Sequence, residues 1–168
     1  VAKLIPGMTA ANPSAPSMPC SYCGVFRRQG INHLAKKVNA DVMALGHNLD
    51  DMAQTVLMNM SNGDLERTLR LAPHTNTPID GLPPRIVPLR WIPEQEVHLY
   101  AVHKNLPIHH EECPHARGAL RWRHREMVAM MEADVPGTRH GLVRMADNVK
   151  DLRNQIVELG GHESRPSP

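Results

Sequence analysis

Aromatic side chains are nearly missing from this chain. Two Trp, two Tyr and one Phe make up 3% of its 168 residues. A core built with so few rings must be filled by Leu, Val, Ile and the ten Met. No run of eighteen apolar residues occurs, which excludes a membrane-spanning helix. The first nineteen positions lack the basic start and apolar stretch of a secretory leader, so the expectation is a cytoplasmic protein without a membrane partner. Cysteine is scarce as well. An odd count of three argues against a disulfide framework and leaves the thiols for metal or redox work. A net charge of +2 is too small to demand a polyanionic partner, although eleven His add positive charge below neutral pH.

What is abundant is proline, fifteen in all, and four of them fall within the first nineteen positions. Pro6, Pro13, Pro16 and Pro19 among small residues disfavour both helix and central strand, so 1–19 reads as a linker. The chain begins on Val1, and the expectation is that it is part of something longer. Apolar residues at helical spacing predict a helix over 24–39 with Ile31, Leu34, Ala35 and Val38 inward. The short apolar run 42–45 stops at Gly46, which suits a buried parallel strand. A helix with Leu49, Met52, Ala53, Val56, Leu57 and Met60 on one face follows and ends at Asn62-Gly63. After a short helix over 64–71 and a loop to Pro84, 85–89 is the second strand candidate, closed by Pro88.

A helix over 94–105, with Val97, Tyr100 and Ala101 inward, and two longer ones near 116–133 and 139–158 complete the pattern. The last carries Leu142, Met145, Val149, Leu152, Ile156 and Leu159 as its stripe. Strands alternating with helices predict an α/β fold with a parallel sheet and a C-terminal helical extension. The expected division is a linker over 1–19, an α/β domain over 20–112, a helical extension over 113–160 and a disordered tail over 161–168.

Cys20-x-x-Cys23 puts two sulfurs within reach of one metal centre, while Cys113 must be delivered by the fold. A helix start at the pair favours thiolates. Two metal sites remain open at this point. Three thiolates hold a 4Fe-4S cluster with one iron free, or they form a zinc site whose fourth ligand is His109, His110 or His115. The bland alternative is that these are ordinary small buried residues. The turn Gly46-His47-Asn48-Leu49-Asp50-Asp51 lies where α/β sheets bind ligands, beyond the carboxyl end of a strand, and opens a helix with free N–H groups. Asp51 there is placed to orient magnesium or a nucleotide phosphate. Equally, Asn48 is a good N-cap, and Asp50 and Asp51 stabilise a first helical turn with no ligand at all. Arg27 and Arg28 stand one turn beyond the cysteines, and Arg117, Arg121, Arg123, His124 and Arg125 surround Trp122 as the densest basic stretch. Either group suits phosphate or an RNA backbone, and either suits a solvated helix face.

Taken together, Pro19-Cys20-Ser21-Tyr22-Cys23-Gly24-Val25-Phe26-Arg27-Arg28, Gly46 to Asp51, Pro88-Leu89-Arg90 and Glu112-Cys113-Pro114-His115-Ala116 resemble the adenylating tRNA 2-thiouridine synthetases. These are the archaeal and eukaryotic-type tRNA thiolation proteins of the PP-loop ATPase superfamily. The resemblance implies a Rossmann-like fold of the adenine nucleotide alpha hydrolase type, in which ATP with magnesium adenylates a uridine and sulfur then displaces AMP. It implies Cys20, Cys23 and Cys113 as ligands of a 4Fe-4S cluster, and Asp51 and Arg27 as catalytic groups. Gly46, His47, Asn48 and Asp50 are implied around the nucleotide. The implied partners are tRNA and a sulfur donor, either a ubiquitin-like carrier or free sulfide, with a homodimer also admitted.

The family's Ser-Gly-Gly-x-Asp-Ser phosphate cradle occurs nowhere in this chain, and neither do its zinc ribbons. The expectation is therefore partial: a PP-loop fold truncated at its N-terminus, without tight ATP binding or turnover on its own, and with an exposed sheet edge that favours a partner.

Overall fold

The computed structural model describes residues 19–71, 81–108, 113, 116 and 119–159. Its element order is α1 (Pro19–Lys37), β1 (Met43–Ala44), α2 (Leu49–Ser61), α3 (Leu65–Leu69), β2 (Arg85–Ile86), α4 (Glu94–His103), α5 (Leu120–Asp134) and α6 (Thr138–Glu158). The two strands run parallel, with Met43 opposite Arg85 and Ala44 opposite Ile86. Bonds from Met43 N–H to the Pro84 carbonyl and from Leu45 N–H to the Ile86 carbonyl, 2.8 and 2.9 Å, fix that register. Among the described residues this pair is the whole sheet, so each strand has an unpaired edge. The α/β reading with a parallel sheet and a helical C-terminal part holds.

Local chemistry sets most boundaries. Asn48 caps α2, and Gly63, at φ +66°, turns the chain after it. Asp64 caps α3 by accepting the Arg67 N–H at 3.0 Å. The predicted helix over 24–39 starts earlier than its apolar pattern, at Pro19, so both cysteines of the pair lie inside its first two turns. Proline is favoured at a first helical position, where its missing donor costs nothing.

The core is where α2 meets α5 and α6. Leu49, Met52, Ala53, Val128 and Val143 form one buried cluster, with Leu57, Leu71 and Leu142 against it. Residues from α5 and α6 thus share a core with α2. Three expected apolar faces are corrected. Of the face expected over 24–39 only Ala35 is buried, and Ile31, Leu34 and Val38 face solvent. Tyr100 of α4 points outward. On α6 the buried positions are Val143 and Ala146, while Leu152, Ile156 and Leu159 are exposed. A stripe is buried only where another element covers it, and the cover from α2 and α5 centres on Val143, in the first half of α6.

The start of α6 is held from outside its own cap. Gly137, at φ +94°, offers no side chain, and Glu132 accepts the Gly137 and Arg139 N–H groups, both at 2.8 Å. Burial pushes the Glu132 carboxyl up, but these two N–H groups, the Arg139 guanidinium and His140 outweigh it and hold it below its ordinary value. Glu132→Ala is expected to cost about 1 kcal/mol, the worth of a helix cap. A group with a depressed folded pKa stabilises above its unfolded pKa and loses that contribution as pH falls through the folded value. Thermal melts of the two proteins should therefore differ at neutral pH and converge on acidification. A constant gap would refute the capping role.

Candidate active site

The first three turns of α1 place Cys20, Cys23 and Arg27 at intervals of three and four, on one stripe of the helix. All three cysteines are free; Cys20 and Cys113 are exposed and Cys23 is half-buried. Arg27 is exposed and has no ion pair among the described residues. The Tyr22 hydroxyl, between the two thiols in sequence, is a buried donor without a partner there. The donor set suits a soft metal centre: three thiols uncommitted to disulfides, two of them neighbours on one helix face. The structure does not gather them, since no three His, Cys, Asp or Glu side chains among the described residues stand together as a metal-holding group. His109, His110 and His115, the alternative zinc ligands, lie outside the described residues.

The acidic turn is well defined. Gly46 and His47 are exposed at the carboxyl end of β1, and a Cβ at Gly46 would meet open space. Asn48 and Asp51 form a reciprocal capping box. The Asp51 N–H donates to Asn48 Oδ1 at 3.0 Å, and the Asn48 N–H donates to Asp51 Oδ2 at 3.2 Å. The other Asp51 oxygen faces Arg121 Nη1 of α5 at 3.3 Å, and Arg121 Nη2 donates to Thr55 at 3.1 Å. Asp51 is thus a half-exposed carboxylate held from both sides, and a cation at Oδ1 would have to displace a guanidinium.

Asp50 faces the opposite way. It is buried, accepts the Glu94 N–H at the start of α4 at 2.7 Å, and lies 3.1 Å from Arg139 Nε. That nitrogen has no acceptor in hydrogen-bond alignment, so the contact is an ion pair rather than a directed bond. Of the two adjacent acids, Asp50 ties α2 to α4 and α6, while Asp51 is the one left at the surface.

Pro88-Leu89-Arg90 also has a place. It forms the turn after β2 that leads to the acidic corner, where the Leu49 N–H donates to the Ile92 carbonyl at 3.0 Å. Arg90 Nη2 reaches both oxygens of Asp147 in α6, at 2.9 and 3.0 Å. Sequence reading missed three partners here: Arg121 as the mate of Asp51, Arg139 as the mate of Asp50 and Trp91 beside them. Arg121 was visible only as part of a basic stretch. Arg121 and Arg125 pair with Asp51 and Glu94, leaving Arg123 without an ion pair among the described residues.

No protein-family model matches the chain. It is 41% identical over 142 residues to the tRNA 2-thiolation protein NcsA of Haloferax volcanii, covering 79% of this chain and 43% of that protein. Over 149 residues it is 39% identical to the cytoplasmic tRNA 2-thiolation protein 1 of Chlamydomonas reinhardtii, covering 89% of this chain and 40% of that one. Among solved structures it matches the U34-tRNA thiolase NcsA from Methanococcus maripaludis with its [4Fe-4S] cluster. That match has a TM-score of 0.71 and 33% identity, over 83% of this chain and 46% of the thiolase.

The chain belongs to the tRNA 2-thiolation protein family. It spans about two fifths of the length of these curated relatives. Membership also fixes the architecture: the parallel pair β1–β2 with the acidic turn at its carboxyl end is part of the PP-loop-type fold of this family. No helix among the described residues is long and apolar enough to cross a membrane.

Proposed function

We propose that this chain carries the sulfur-handling half of a cytoplasmic tRNA 2-thiolation enzyme, the part that combines cluster ligands with the acidic turn. One observation carries the reading: the chain shares fold and sequence with a cluster-bearing tRNA thiolase, and its three cysteines are all free. Cys20, Cys23 and Cys113 would hold a 4Fe-4S cluster. When bound, such a cluster supplies an iron without a protein ligand, at which sulfur is presented.

The chain's own groups do the rest. In the reaction proposed, the uridine O2 attacks the α-phosphate of ATP and releases pyrophosphate. Sulfur then adds at C2, and AMP leaves with the former oxygen. Asp51 orients the reacting groups through its charge, and Arg27, on the cysteine stripe, neutralises the negative charge that develops on phosphate or oxygen. Exposed and without an ion pair among the described residues, Arg27 starts without a carboxylate to displace. The chain lacks the Ser-Gly-Gly cradle, so ATP-dependent turnover is assigned to the enzyme as a whole and not to this chain alone.

Anaerobic reconstitution of the chain with ferrous iron and sulfide tests the cluster assignment. The expected product has the broad visible absorption of a 4Fe-4S centre with matching iron and sulfide content, and Cys113→Ser should abolish it. One tight zinc per chain and no cluster would replace this reading with that of a zinc-stabilised RNA-binding module.

A further inference from the structure

A chain with so few aromatics leaves one of its two Trp at the surface, beside the acidic corner. Trp91 is 42% exposed. It directly precedes Ile92, whose carbonyl receives the Leu49 N–H, so it adjoins the turn that carries Asp50 and Asp51. Its ring is held in place by charge. The Arg90 guanidinium carbon sits 4.9 Å from the ring centroid, and Arg90 is itself fixed by Asp147. On α6 the His140 ring lies nearly parallel to the indole, at 9°, with centroids 6.3 Å apart. At that separation parallel rings cover little of each other, so ring face remains for a third partner. One helical turn beyond His140, Arg144 is exposed and has no ion pair among the described residues. Arg139, the neighbour of His140, is the residue paired with Asp50, which binds this patch to the acidic turn through α6 as well.

An immobilised flat ring, a second ring beside it and a free guanidinium one turn away make up a base-stacking platform with a phosphate contact. We propose that Trp91, with His140, stacks an unpaired base of the RNA substrate, and that Arg144 binds a phosphate of the same strand. This rests on the reading of the chain as a tRNA-thiolating protein and names the surface that receives the RNA. Stacking needs an unpaired base, so the occupant is a single-stranded loop rather than a duplex. The cost of ordering Trp91 is already met by the Asp147–Arg90–Trp91 contacts, which leaves more of the stacking energy for binding.

The test uses Trp122→Phe protein, in which Trp91 is the sole Trp emitter, titrated with an unmodified tRNA transcript and with a uridine oligonucleotide of about ten nucleotides. Both should quench Trp91 emission. In the chain that keeps Trp122, Trp91→Leu should weaken tRNA binding about ten-fold or more, and Trp91→Phe should restore most of it. Arg144→Gln should reduce the slope of log affinity against log salt by roughly 0.7, the share of one phosphate on a single strand. If Trp91→Leu, with an unchanged melting curve, binds tRNA as the parent does, the platform is wrong while the tRNA assignment stands. If the parent binds no tRNA, both fall. Quenching by AMP at concentrations where RNA has no effect would overturn the platform in favour of a mononucleotide site.

Discussion

Asp50→Ala is expected to lower folding stability by about 3 kcal/mol, the low end of the range for removing one partner of a buried ion pair. The argument is geometric. The Asp50 carboxylate is the acceptor for the first N–H of α4 and the counter-charge for Arg139. Its removal leaves the mostly buried Arg139 guanidinium without its ion pair and the Glu94 N–H without its acceptor, and the three elements α2, α4 and α6 lose their common tie. Against a total stability of about 5–15 kcal/mol for a domain, that is a large fraction. Circular dichroism melts should show Tm falling by roughly 6–12 °C in a chain of this size. Asp50→Asn, which keeps an acceptor for Glu94 but not the charge, should fall between parent and alanine variant. A Tm within a degree or two of the parent for Asp50→Ala would show that Asp50 is free for another task.

Its neighbour should behave in the opposite way. Asp51→Asn is expected to cut tRNA thiolation by at least about a hundred-fold, the usual worth of a positioned catalytic carboxylate. Folding should change by less than about 1 kcal/mol. The amide oxygen still accepts the Asn48 N–H, and the half-exposed pair with Arg121 is worth little in water. The measurement is the thiolated fraction of cellular tRNA, resolved on mercury-containing gels, from cells whose chromosomal gene carries the substitution. Purified variant protein gives the melt. Undiminished thiolation would reduce Asp51 to the helix cap it visibly also is. The two adjacent acids should thus separate: one substitution is expected to remove stability, the other activity.

Several elements were readable before any coordinates. The helix from Leu49 to Ser61 announces itself through apolar spacing, through Asn48 before it and through Asn62-Gly63 after it, because each signal acts within one or two turns. The strands were legible as short apolar runs ending at Gly46 and Pro88. The candidate site was legible as motifs: the cysteine pair, the acidic turn and the distal Cys113. Burial was less legible. The stripe on α6 predicts inward Leu152 and Ile156, yet no described element covers them, and Val143 is buried instead because α2 and α5 both close on it. The face of α1 fails for the same reason. Periodicity identifies a face that can be buried; a packing neighbour decides whether it is.

By itself the sequence determined the α/β order of elements, the caps, the family and the residue types available for sulfur chemistry, since all of these depend on residue identity and on spacings of a few positions. Only the tertiary structure decided which acid is structural and which is exposed. Asp50 meets Glu94 and Arg139, 44 and 89 positions away, and Asp51 meets Arg121. It also set Trp91 against His140 and left the three thiols ungathered among the described residues. Such pairings are fixed by how helices dock, and a docking geometry is a property of the packed core rather than of any local run of residues.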